Sequence, residues 1–111
     1  MNISIEENGC VDPEVRLLDT KLPYFYARVR DIFVFEPEQV CVKIVSSKED
    51  FCAMKGEDSD CELGAFIKDN TIYIFQPNQF GVLTKTERKD FYRILYQELT
   101  HLFYQVNTSA A

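Results

Sequence analysis

Residues from about Glu87 to Val106 constrain this chain more than any other segment. Projected as a helix at ~100° per residue, Phe91, Tyr92, Leu95, Leu99, Leu102, Phe103 and Val106 fall on one broad apolar stripe. Asp90, Arg93, Gln97, His101 and Tyr104 fall on the opposite side, with Glu98 at the border. An apolar stripe of that width has to be covered, so the rest of the chain must supply a sheet or further helices to receive it. Thr84 or Thr86 stands where an N-cap for this helix is expected.

Upstream lie the elements that can do so. Val40-Cys41-Val42-Lys43-Ile44-Val45 is β-branched and partly alternating, which predicts a strand. Gly64–Lys68 and Thr71–Phe75 flank Asp69-Asn70, two strand-like runs separated by two turn-forming residues, a strong hairpin signal. Ser47 with Asp50 three residues on opens a short helix, Glu49–Met54, that ends at Gly56. Asp12-Pro13-Glu14 opens an earlier one. That helix is expected through Val15–Thr20, interrupted near Pro23 and resumed over Tyr24–Phe33, with Pro37 blocking its continuation. The order predicts an α+β domain, residues 1–111, with a small, mostly three-stranded sheet packed against helices.

Composition narrows the partners. The 111 residues are 46% hydrophobic and 27% charged with a net charge of −6, an ordinary globular balance. Acidity of this size offers nothing to nucleic acid or an anionic membrane, so neither is expected as a partner. No run approaches the ~20 apolar residues of a membrane span. The start, Met1–Asn8, has neither a basic flank nor an apolar stretch of signal-peptide length. Cys10, Cys41, Cys52 and Cys61 form no C-x-x-C pair. Cys41 and Cys52 read as small buried hydrophobes, and the expectation is a cytoplasmic protein with reduced thiols. The acids of 57–62 lack the glycine and terminal glutamate of an EF-hand and read as a solvated loop.

Gln97-Glu98-Leu99-Thr100-His101 differs by one residue from H-E-x-x-H. In that motif two histidines one turn apart reach a single Zn²⁺, and the glutamate polarises the metal-bound water as general base. From Val40 to Val106 the succession of strand, short helix, hairpin and motif helix resembles the minimal zincin-like peptidases called minigluzincins. The resemblance implies a zincin-like fold and makes Glu98 the general base and His101 a zinc ligand. It also implies a substrate strand at Thr71, Ile72, Tyr73, Ile74 and Phe75.

Three departures break the zinc chemistry. Gln97 occupies the place of the first ligand, and an amide is a poor zinc donor. His101 is the sole histidine of the chain, and no acid follows it to serve as third ligand. A metal would have to draw on Cys10, Cys61 or the 57–62 acids, so zinc is not expected to be bound. The expectation is a catalytically silent peptidase scaffold that can take an extended peptide, or another copy of itself, along Thr71–Phe75 as an exposed edge strand. Two other readings stand beside it: an active zinc peptidase with an unusual ligand set or a native histidine at 97, and an unrelated α+β protein-interaction module.

Overall fold

Four strands, β1 (Ile3–Asn8), β2 (Val40–Val45), β3 (Ala65–Lys68) and β4 (Thr71–Phe75), form one sheet in the order β1-β2-β4-β3. The structure is a computed structural model that describes residues 3–8, 13–55, 64–82, 84 and 86–109. β1, β2 and β4 run parallel, and β3 is antiparallel to β4. Three helices complete the α+β fold: α1 (Leu18–Arg30), α2 (Lys48–Lys55) and α3 (Phe91–Ser109). The sheet therefore has one strand more than the three expected.

Register divides the sheet into two faces. Val42 lies opposite Ile72 and Ile44 opposite Ile74, and all four are fully buried. The other face carries Tyr73 and Phe75, with Phe66 of β3 opposite Tyr73. Phe51 of α2 stacks on Phe75 at 4.1 Å and meets Phe66 edge-on at 4.9 Å, which seats α2 on this second face. The first face is left to α1 and α3, which touch β1 and β3–β4 respectively and each other. Phe91, Leu95, Leu99, Leu102 and Phe103 of α3 are at most 1% exposed, as the projected stripe requires, and Ile94 joins them. Burying one such side chain contributes about 1.5–3 kcal/mol, so this helix alone anchors a large share of the core.

Local details follow the residues. Asp69 and Asn70 take φ of +52° and +60°, the left-handed pair of a two-residue hairpin, which these short polar side chains tolerate. α1 is continuous through Pro23, contrary to the expected break. Leu18, Leu22, Tyr26 and Val29 bury at helical spacing, and that packing outweighs the one backbone bond the proline forgoes. A 3-10 turn, Pro13–Leu17, leads directly into it. The last helix is capped not by Thr84 or Thr86 but by Glu87, which forms a reciprocal capping box with Asp90. Thr84 instead donates to the Thr86 carbonyl at 2.9 Å, closing the loop before the cap.

Cys41 is a free thiol, as expected. Cys52 is disulfide-bonded, its partner lying outside the described residues, so the expectation of reduced thiols throughout does not hold. Cys10, Cys61, the Asp12 cap, Gly56 and the 57–62 acids also fall outside the described residues. No helix among the described residues is long and apolar enough to cross a membrane.

Candidate functional site

The polar side of α3 carries the near-motif. Because successive turns place i and i+4 on one side of a helix, Gln97 and His101 share the side turned away from the core, with Glu98 at its border. Gln97 is exposed. The His101 side chain is 66% and that of Glu98 18% exposed, with His101 Nδ1 4.0 Å from Glu98 Oε2. Burial raises the Glu98 pKa above the usual carboxylate range, and the positive charge of a protonated His101 works against that rise. His101 is the sole charged partner of Glu98 among the described residues. Thr100 turns its hydroxyl back onto the Tyr96 carbonyl at 2.9 Å and so serves its own helix.

These donors do not fit a zinc ion. A tetrahedral site needs three protein ligands at least. Here one imidazole and one carboxylate stand together, and the adjacent Gln97 offers only an amide. Among the described residues no group of three or more His, Cys, Asp or Glu side chains comes together around a common point.

Thr71–Phe75 does not have the position expected of it. β4 pairs with β2 on one side and β3 on the other, and Ile72, Ile74 and Phe75 are fully buried. With both rows of backbone groups committed to neighbours, it cannot accept a further strand. The edge next to α3 is β3, Ala65–Lys68, which touches that helix and has no strand on its outer side among the described residues. Gly64 begins it with φ +87°, its Cα packed so closely under Phe80 that an added Cβ would lie 2.8 Å from that ring.

Two concave surfaces escape a residue-by-residue reading of the chain. One, of about 530 Å³, lies between α1 and α3 and is lined by Tyr24, Phe25, Arg28, Tyr92, Tyr96 and Gln97 among others. Its sequence traces are Tyr24-Phe25-x-x-Arg28 and Tyr92-Arg93-x-x-Tyr96, each an aromatic and cationic cluster at helical spacing. The other, about 710 Å³, lies near the hairpin turn and brings Glu6, Glu36, Glu38 and Asp69 around Lys43 and Cys41. Its charges are largely engaged: Lys43 lies 3.7 Å from Glu6, and Glu36 accepts the Tyr26 hydroxyl at 2.8 Å. Burial first, and then that bond to Glu36, push the Tyr26 pKa up to about 12.

The chain matches no family model, no curated protein and no solved structure.

Proposed function

We propose that this protein is a minimal zincin-like scaffold of the minigluzincin type that has lost its zinc chemistry and keeps a peptide-binding edge. One observation carries the reading: Glu98, at the border of the outer side of α3, stands 4.0 Å from His101, with Gln97 one turn before His101 and the edge strand β3 touching the same helix. A peptidase of that type needs a base, a ligand pair at i and i+4, and an open strand edge beside them. The base and one ligand remain; the other ligand is an amide.

The edge that serves an extended peptide is β3 rather than Thr71–Phe75. Its outer side has no strand against it among the described residues, which is where strand addition would place an extended peptide, and a second copy of the chain can use the same edge. The cytoplasmic placement expected from the cysteines loses that support, because a disulfide such as that at Cys52 belongs with oxidising surroundings.

Zinc content decides the matter. Protein purified without chelator and dialysed against zinc is expected to hold well under one equivalent and to leave casein intact. Gln97→His is expected to gain zinc binding that His101→Ala removes. Stoichiometric zinc on the unaltered chain, lost in His101→Ala, would establish the active-peptidase reading instead. No zinc on Gln97→His would leave an unrelated α+β interaction module.

A further inference from the structure

We propose that the groove between α1 and α3 is a binding site for a small aromatic carboxylate, held by Arg28 and packed among Phe25, Tyr92 and Tyr96. The proposal stands on α1 as much as on α3 and is independent of any zinc ancestry.

Charge makes the first argument. In a chain of net charge −6, Arg28 has no carboxylate partner among the described residues. Its Nη1 donates to the Tyr24 hydroxyl one turn earlier at 3.0 Å, and Tyr96 lines the same groove. The Tyr24 hydroxyl thus positions the guanidinium at the groove without neutralising it. Arg93, on the same groove, is by contrast answered by Asp90 at 3.3 Å. A second cation, Lys21, sits 4.0 Å over the Tyr92 ring rather than beside an acid. The groove therefore presents, at Arg28, a positive charge with no carboxylate beside it among the described residues.

Shape makes the second. Phe25 meets Tyr96 at 5.6 Å and 88° and Tyr92 at 6.1 Å and 63°, so its neighbours stand edge-on around it. Edge-to-face walls of this kind accept another ring with favourable quadrupole geometry. At about 530 Å³ the groove is of small-molecule size. A single planar guanidinium matches the two oxygens of one carboxylate. A phosphate dianion would call for several convergent donors, whereas among the described residues Arg28 is the one cation lining these walls without a carboxylate beside it. Gln97 also lines the groove, and its amide can donate to a carboxylate oxygen. A glutamine there suits the groove as a histidine would have suited a metal.

The test is a titration of the isotope-labelled full chain with 3-phenylpropionate, followed by NMR. Saturable shifts are expected at Tyr24, Phe25, Arg28, Tyr92 and Tyr96. The neutral analogue 3-phenylpropanamide should bind at least ~10-fold more weakly, the worth of one charged hydrogen-bonded contact. Arg28→Gln should weaken the acid by ~10-fold and leave the amide unchanged, with Arg28→Lys in between. Equal binding of acid and amide, shifts that map elsewhere, no saturable binding, or an undiminished Arg28→Gln would each overturn the proposal. Should Arg28→Gln fail to fold, the acid and amide pair on the unaltered chain decides alone.

Discussion

Glu98 and His101 stand 4.0 Å apart across one turn of α3, one side chain 18% and the other 66% exposed. The asymmetry matters because the acid bears the cost of burial while the base remains in water. Among the described residues a solvent-exposed imidazole is the one charged group that faces the carboxylate.

The first prediction concerns pH. Burial raises the Glu98 pKa in the folded state above its ordinary value of 4.5. A raised folded pKa means the folded protein binds the proton more tightly. The stability contributed by protonated Glu98 is therefore full below the unfolded pKa and lost as pH rises through the folded one. Glu98→Gln removes the ionisation and should melt higher than the unaltered chain at pH 7. The gap should shrink as pH falls toward 4. Thermal melts across that range check it, and a gap that widens in acid would refute the account.

Asn107 clamps the chain after α1 to the end of α3. Its Oδ1 accepts from the Phe35 N–H at 3.0 Å, while Nδ2 donates to the carbonyls of Phe35 at 3.0 Å and Phe103 at 2.8 Å. Asn107→Ala should cost ~1 kcal/mol, since solvent-accessible bonds are worth little each. Calorimetry should find the melting temperature lower by roughly 4–6 °C.

Gly64 is required by both backbone and space. A side chain there meets left-handed strain at φ +87° and the Phe80 ring together. Gly64→Ala should destabilise by ~1–2 kcal/mol from the backbone term alone. Urea unfolding should show a lower midpoint at an unchanged slope.

Phe51 is the residue through which α2 holds the second face of the sheet, 1% exposed and stacked on Phe75. Phe51→Ala should cost about 3–5 kcal/mol. Against a typical total of about 5–15 kcal/mol, that brings the domain close to unfolding at 25 °C. Denaturant titration by circular dichroism measures it.

What could be read from the chain was what local spacing encodes. The Asp69-Asn70 hairpin and the stripe of α3 depend on residues within a turn or two of each other, and both lie where expected. β1 escaped because only Ile3 and Ile5 alternate before Glu6 and Glu7, and its partner β2 lies far along the chain. The run Thr-Ile-Tyr-Ile-Phe lies inside the sheet rather than at its edge, because near-continuous apolar residues are the mark of a strand covered on both faces. The propensity of Pro23 alone favours a break, and the four buried side chains around it keep the helix continuous. The groove stayed hidden because Arg28 and Tyr96 meet only once α1 and α3 are packed together.

The parallel pairing of β1 with β2 also sets an order of assembly. Asp69 and Asn70 bring β3 and β4 together across two residues, a contact that hairpins make in roughly 1–10 μs. Ile3 finds Val40 only after the whole of α1 has been accommodated between them, and such distant contacts carry the greater closure entropy. β1 is then the last strand to join and, flanked by β2 alone among the described residues, is shed more readily than the central β2–β4 pair comes apart. Amide protons that β2 shares with β1 should therefore exchange with solvent sooner than those it shares with β4.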